Sequence, residues 1–319
     1  MEEFPSDRYR PKLMHMGSAE IGLAETTGTR RVLVLYNPAA GQWRRRRLRA
    51  TVKALEALGC NVMLRETTRQ GDAEAMAAKL SSSDCDVVVA AGGDGTINEV
   101  ANGLLAAPGP IPPLAIIPLG TANVLAQEIG LHGQPVEIAR AIARGSRLAI
   151  HPGRANGRYF LMMAGVGFDA HVVANVDLAL KRRTGKLAYV VETLSQGIRY
   201  GFPPCRVTVD GRQFHARSAV ICNGRHYGGP FVAAPKADLA APAFEVCLFE
   251  HGGWAHVVRY GLALVMGRLS SLPDVRIETG RSVRIEGEPE LPVQGDGDII
   301  ARLPVDVTVS EIQLELIVP

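Results

Sequence analysis

Three wholly apolar runs, each ending in a glycine-bearing turn that opens a helix, constrain this chain more than any other feature. Val32–Tyr36 runs into Asn37-Pro38-Ala39-Ala40-Gly41, and Leu48, Val52, Leu55 and Leu58 then repeat at helical spacing. Asp86 opens the strand whose apolar run Val87–Ala90 leads into Gly92-Gly93-Asp94-Gly95-Thr96, followed by Ile97, Val100, Ala101, Leu104 and Leu105. Leu114–Ile117 runs into Pro118-Leu119-Gly120-Thr121-Ala122-Asn123 and another helix. Between the first two, Val62 and Leu64 mark a further strand, and Ala73, Met76, Ala77 and Leu80 a further helix. Strands that are apolar throughout, rather than alternating, are covered on both faces. The first half therefore reads as an α/β domain with a parallel sheet.

After about Arg147 the grammar changes. Asn156-Gly157 and Asp210-Gly211 are hairpin turns. Phe244/Val246/Leu248, Val275/Ile277, Val283/Ile285 and Val305/Val307/Val309 alternate with period two. One helix-like insert, from about Lys186 to Ile198, interrupts them. The expected layout is a loose leader over 1–28, an α/β domain over 29–147 and a mainly antiparallel β-sandwich over 148–319. The last strand is a candidate to return to the first domain.

Composition narrows the function classes. A net charge of +3 over 319 residues gives no reason to expect nucleic-acid binding. The charge is uneven: between Arg30 and Gln70 ten basic residues face two Glu. No apolar run reaches the roughly 18 to 20 residues of a membrane span. The first 29 residues show no apolar signal-peptide core. Five widely spaced cysteines read as buried reduced thiols of a cytoplasmic protein. The absence of CxxC, HExxH and GxSxG removes zinc sites and serine hydrolases, and the eight histidines form no ligand pair.

In a doubly wound sheet the turns Asn37–Gly41, Gly92–Thr96 and Leu119–Asn123 all lie at the carboxyl edge, where ligands bind. Free N–H groups at a helix start favour anions, and glycines admit a phosphate close to the backbone. Tight strand-to-helix turning alone would account for one such turn; three on one edge favour a ligand. Neither GxGxxG nor GxxxxGK[ST] is present. What remains is a nucleotide-phosphate cradle with an acid, Asp94, placed to address Mg²⁺.

The run Ala91-Gly92-Gly93-Asp94-Gly95-Thr96-Ile97-Asn98-Glu99-Val100 resembles the signature of the diacylglycerol kinase catalytic-domain family, which includes bacterial lipid kinases and sphingosine kinases. The likeness extends through Asn37–Gly41, Thr67, Pro118–Asn123 and the late Gln294-Gly295-Asp296-Gly297-Asp298. GGDGT by itself is shared with NAD kinases and phosphofructokinases; the other segments single out the lipid-kinase branch. The resemblance implies an NAD kinase/phosphofructokinase-like α/β domain, a β-sandwich second domain and a lipid entering between them. It implies ATP contacts at Asn37, Pro38, Gly41, Thr67, Gly92, Gly93, Asp94, Gly95, Thr96, Asn98, Glu99, Gly120, Thr121 and Asn123. Phosphoryl transfer also needs a group that orients or deprotonates the attacking hydroxyl. Asp296 is the expected base and Asp298, standing for the commoner Glu, the reserve; an ordinary surface turn is the plainer reading of the motif.

The chain also departs from the family. Val124 and His151 stand where relatives usually carry Asp, and Pro235–Pro242 lacks the acid that holds a structural Mg²⁺, leaving only Asp238 nearby. That structural site is expected to be absent. Arg44–Arg47 and Arg49 follow Trp43. They read as a solvated helix face, as a contact to ATP phosphate, or as a dock on anionic lipid headgroups. Lys181-Arg182-Arg183 and Lys186 offer a second basic patch. The resulting expectation is a cytoplasmic lipid kinase of phospholipid metabolism, using ATP and Mg²⁺ and peripheral at the inner face of the membrane. An NAD kinase-like enzyme and a catalytically silent nucleotide- or lipid-binding protein are the alternatives.

Overall fold

The computed structural model describes residues 29–38, 42–175 and 200–319. The leader, Gly41, the basic run 181–186, the helix expected at 186–198 and the side chain of Trp43 lie outside the described residues.

The first domain runs β1 (Arg31–Tyr36), α1 (Gln42–Ala57), β2 (Asn61–Glu66), α2 (Asp72–Ala77), β3 (Val87–Gly92), α3 (Asp94–Ala106), β4 (Leu114–Pro118), α4 (Val124–Glu128), α5 (Pro135–Arg144) and β5 (Ser146–Ile150). The second begins with β6 (Gly153–Ala155), β7 (Arg158–Phe160), β8 (Met163–Val166), α6 (Phe168–Asn175), β9 (Cys205–Val209), β10 (Arg212–Ala216) and β11 (Ser218–Cys222). A short ribbon, β12 (His226–Tyr227) and β13 (Phe231–Val232), precedes β14 (Phe244–Phe249) and α7 (Trp254–Val265). The chain closes with β15 (Val275–Gly280), β16 (Ser282–Glu286), β17 (Pro292–Gly295), β18 (Asp298–Arg302), β19 (Val305–Val309) and β20 (Leu314–Val318).

The first sheet has the order β2-β1-β3-β4-β20-β5. β1 to β4 are parallel, and β20 lies parallel to β4 and antiparallel to β5. All of β3 is buried because helices cover both faces, whereas β2 is an edge strand with Met63 and Leu64 exposed. Gly103 is required where α3 crosses α2, since a Cβ there would stand 2.7 Å from that of Ala77. β5 runs across the 147/148 boundary expected from sequence. Its hydrogen bonds to β20 keep it in the first sheet, so the chain leaves that domain at about 151.

The second domain is two antiparallel six-stranded sheets, β10-β9-β16-β19-β6-β7 and β15-β14-β11-β8-β17-β18. Between them Phe160, Ile221, Phe244, Val246, Val283 and Val307 form a core of their own, with the two phenylalanine rings 5.9 Å apart. The turns at Asn156-Gly157 (φ 44° and 98°) and Asp210-Gly211 (φ 44° and 83°) are the left-handed hairpin pairs expected. The other face of the second sheet joins the first domain's core through Met163, Val220 and Cys222. The helices α6 and α7 were not legible in the sequence.

Candidate active site

β1, β3 and β4 end at one edge, and their turns bind one another before they could bind anything else. Asn37 N–H donates to Ala91 O (3.3 Å) and Leu119 N–H to Gly92 O (2.8 Å). Gly93 and Gly120 abut: a Cβ on Gly120 would stand 2.6 Å from the Gly93 Cα, and one on Gly93 would stand 3.2 Å from the Gly120 Cα. Asn123 sits in the left-handed region (φ 48°), with its Oδ1 accepting from Gly120 N–H at 2.7 Å. Asp94 ties the two turns together, its Oδ1 accepting from Val124 N–H (2.7 Å) and its Oδ2 from Asn123 N–H (3.0 Å). Thr96 is buried beneath Gly92, and Thr67 is fastened to Tyr36 O by its N–H at 2.9 Å. Asn37, Pro38, Thr67, Gly92–Thr96 and Gly120–Asn123 thus share one edge.

Asn98 and Asn102, one turn apart on α3, face the other domain. Asn98 Nδ2 donates to Tyr159 O (3.2 Å) and Asp296 Oδ2 (2.9 Å), and Asn102 brackets Tyr159 through both its N–H and its C=O (3.0 Å each). Asn98 is therefore part of the joint between domains, whereas Glu99 lies half-buried beside it.

The β17–β18 hairpin turns on Asp296 (φ 51°) and Gly297 (φ 92°). The Asp296 carboxylate accepts from Leu161 N–H (2.6 Å), Met162 N–H (2.9 Å), Met163 N–H (3.1 Å) and Asn98. A carboxylate offers about four lone-pair sites, so these four donors saturate it. Burial pushes the carboxyl above its ordinary range, and the same four bonds pull it back. Two residues on, Asp298 opens β18 and swings to the first domain. Its Oδ2 stands 3.3 Å from where a Cβ on Gly95 would be. A carboxylate of the second domain thus meets the first turn of α3, beside the Gly93–Gly120 contact.

Comparison with known proteins agrees with this two-part geometry. Residues 31–155 match the diacylglycerol kinase catalytic domain, and residues 162–318 match the YegS C-terminal NAD kinase beta sandwich-like domain. The chain is 26% identical to a diacylglycerol kinase of Bacillus subtilis over 86% of its own length and 92% of that protein's. It is 26% identical to a diacylglycerol kinase of Staphylococcus aureus, over 91% and 93%. A crystal structure of a diacylglycerol kinase from Bacillus anthracis superposes with a TM-score of 0.75 at 26% identity, covering 92% of this chain and 98% of that one. The chain belongs to the diacylglycerol kinase catalytic-domain family. It is a lipid kinase, a phosphotransferase with an alcohol group as acceptor.

Within this family frame the departures take on definite local roles. His151 has Nδ1 3.3 Å from Ser310 O and Nε2 2.9 Å from Gln313 Nε2, while its N–H donates to Leu239 O at 2.9 Å. Asp238 closes its own turn by accepting from Ala240 N–H at 3.0 Å. The arginine run divides. Arg44 reaches Thr121 Oγ1 and Arg45 reaches Pro38 O (3.4 Å each), and Arg47 donates to Gly133 O at 2.7 Å. Arg46 and Arg49 are exposed. No helix among the described residues is long and apolar enough to cross a membrane. All five cysteines are buried, and burial pushes the Cys85 and Cys205 thiols up to about 11, which leaves them protonated at neutral pH.

Sequence reasoning missed Glu128, Asp169 and Gln294. Glu128, on α4, accepts from Arg225 Nε (2.9 Å) and from the N–H groups of Arg225 and His226 (3.0 Å each), fastening the first domain to β12. The one signal for Gln294 was a long amide in an apolar strand just ahead of the Gly-Asp-Gly-Asp turn.

Proposed function

We propose that this lipid kinase transfers the γ-phosphate of ATP to the hydroxyl of a diacylglycerol-type lipid at the meeting of its two domains, with Asp298 as the base. The observation that carries the reading is where one hairpin puts its two carboxylates: Asp296 is held by four donors inside the joint, and Asp298 reaches the first turn of α3. The phosphates would lie along Gly93–Thr96 at the start of α3, where N–H groups and the helix dipole favour anions. Asn37, Thr67 and Thr121 share that edge, and Arg44, already at Thr121, brings a guanidinium to it. The lipid hydroxyl gives its proton to an Asp298 oxygen as its own oxygen attacks the γ-phosphorus, and ADP leaves. A positioned base of this kind contributes on the order of 10² to 10⁴ in rate.

The donor set fits a metal delivered by the nucleotide. Among the described residues no group of three or more His, Cys, Asp and Glu could hold an ion alone. Mg²⁺ is commonly bound by one or two carboxylates together with substrate phosphates and water. Asp94, at the first turn of α3 and fastened to the start of α4, is the carboxylate that would hold it here. The ion would neutralise phosphate charge.

A lipid acceptor brings the enzyme to a bilayer, and the exposed Arg46 and Arg49 favour an anionic surface at its cytoplasmic face. Radiolabelled ATP offered to diacylglycerol, a sphingoid base and NAD tests the reading. Label in diacylglycerol and not in NAD is expected, with a 10²- to 10⁴-fold loss of kcat in Asp298→Asn at unchanged ATP affinity. Label in NAD alone would replace it with the NAD kinase reading, and label in none would leave a silent binding protein.

A further inference from the structure

The hairpin that presents Asp298 is held from behind by a buried polar chain. Gln294 is 2% exposed, on β17 between β8 and the edge strand β18 of the sandwich's second sheet. Its Oε1 accepts from the N–H of Gly297, the residue between the two aspartates, at 3.0 Å. Its Nε2 donates to Asp169 Oδ2 at 2.6 Å, and the other oxygen of Asp169 accepts from the Tyr227 hydroxyl. With Asp169 taking the N–H side, the amide has only one orientation in which its carbonyl meets Gly297. Space for the pair is built into β8: a Cβ on Gly165 would collide with the Asp169 carboxylate and stand 2.9 Å from Gln294 Nε2.

We propose that Gln294, oriented by Asp169, is a positioning residue that fixes the Asp296-Gly297 turn and so sets where the Asp298 carboxylate meets the start of α3. The proposal rests on Asp298 as the base. The turn has two left-handed residues in succession, and each is pinned by a different element: Asp296 by the backbone of Leu161–Met163, Gly297 by Gln294. Removing the second pin leaves the Gly297 peptide able to rotate and the carboxylate one residue later able to swing. Catalytic geometry is sensitive to displacements of about 1 Å, which can cost on the order of 10²-fold.

A double-mutant cycle in kcat tests this, with thermal unfolding measured on every variant. Gln294→Met keeps the length and volume of the side chain and removes both hydrogen bonds. It should lower kcat about 10- to 100-fold, leave the KM for ATP and for lipid within about threefold, and cost nothing more in an Asp298→Asn background. Equal losses in both backgrounds, or a loss confined to ATP KM, would overturn the positioning role while leaving Asp298 in place. Full activity in Asp298→Asn would instead sink the base assignment beneath it.

A charge-conserving swap covers the case in which Gln294→Met does not fold. In Asp169→Asn with Gln294→Glu, the new amide donates to one glutamate oxygen and the other still accepts from Gly297. Gln294→Glu alone sets two carboxylates face to face and should lose activity; the double variant should regain it to within about threefold. A double variant as inactive as Gln294→Glu, yet folded, overturns the proposal.

Discussion

The glycine turns of the first domain and the Asp296–Asp298 hairpin of the second differ in what holds them. The turns are closed by contacts among themselves: Gly93 on Gly120, Asn123 on Gly120, Asp94 on the start of α4. The hairpin is closed largely by groups far away in the chain, from α3 and the Leu161–Met163 segment, and behind it by Gln294, which Asp169 orients. One region is an autonomous cradle, and the other is assembled only when both domains fold together. The comparison separates carboxylates that look alike in sequence. Asp94 fastens the start of α4, Asp296 is closed by three backbone N–H groups and Asn98, and Asp298 is the one that reaches the first turn of α3.

The sharpest way to break this comparison is to exchange the two hairpin aspartates for asparagine. Asp298→Asn should lose the 10² to 10⁴ in kcat of a missing base and unfold as the parent does. Asp296→Asn places an amide N–H group against backbone donors and leaves about two of them unsatisfied, a cost of about 2–5 kcal/mol. It should therefore appear first in denaturant titration. Its folded fraction should be the more active of the two. If Asp296→Asn were fully stable and inactive, the strut and the base would have to exchange roles.

The cradle predicts a graded effect. Gly120→Ala forces a Cβ to within 2.6 Å of the Gly93 backbone, while Gly93→Ala meets Gly120 at 3.2 Å. Backbone yields less readily than a side-chain tip, so Gly120→Ala should raise the ATP dissociation constant about tenfold and Gly93→Ala only a fewfold. Nucleotide titration of both checks the order. Equal, negligible effects would show that the turns do not set the phosphate site.

Between the two regions stands Glu128, which ties α4 to β12. Burial pushes its carboxyl up, but the bonds from His226 and Arg225 outweigh burial and hold it below its ordinary value. A depressed carboxyl contributes stability above its unfolded pKa and loses it as pH falls through the folded one. Glu128→Gln, which does not titrate, should be less stable than the parent by about 1–3 kcal/mol at neutral pH. That gap should stay flat down to about pH 5 and close below the ordinary glutamate value of 4.5. A gap independent of pH would mean that packing, and not the ion pairs, makes the joint.

How much was legible follows the same division. The strands, turns and helices of the first domain could be read locally, because a strand covered on both faces is apolar throughout and its turn carries glycine. The sandwich was legible as locally, because a strand buried on one face alternates and a tight hairpin favours Asn-Gly or Asp-Gly. What the motif around Asp296 and Asp298 does was not, because the partners of Asp296 lie more than 130 residues away and three of them are backbone N–H groups that no sequence displays. Asn98 likewise matched the family signature, yet here it spends its amide on the domain joint. Asp169 carries no motif that could have named it, and Gln294, although it heads the Gly-Asp-Gly-Asp segment, gives no sign in the sequence of its partners Gly297 and Asp169.

The smallest expected effect concerns the arginine run, which the sequence treats as one feature and the structure divides. Arg44, Arg45 and Arg47 are turned onto Thr121, Pro38 and Gly133, so their loss should be felt by the cradle. Arg46 and Arg49 are exposed on α1 and remain available to an anionic surface. Each cation near such a surface is worth about 1 kcal/mol, so neutralising this pair should weaken vesicle binding by at most about 2 kcal/mol. Salt should erase the difference, because the Debye length shrinks from about 10 Å at 0.1 M to about 3 Å at 1 M. Arg46→Ser with Arg49→Ser should therefore co-sediment less with phosphatidylglycerol vesicles at low salt while keeping its turnover on detergent-dispersed lipid. Arg44→Ser should do the reverse, sparing vesicle binding and raising the ATP requirement in either assay. If both variants lost vesicle binding equally, the run would act as a single electrostatic patch, and the division between cradle and surface on α1 would fall.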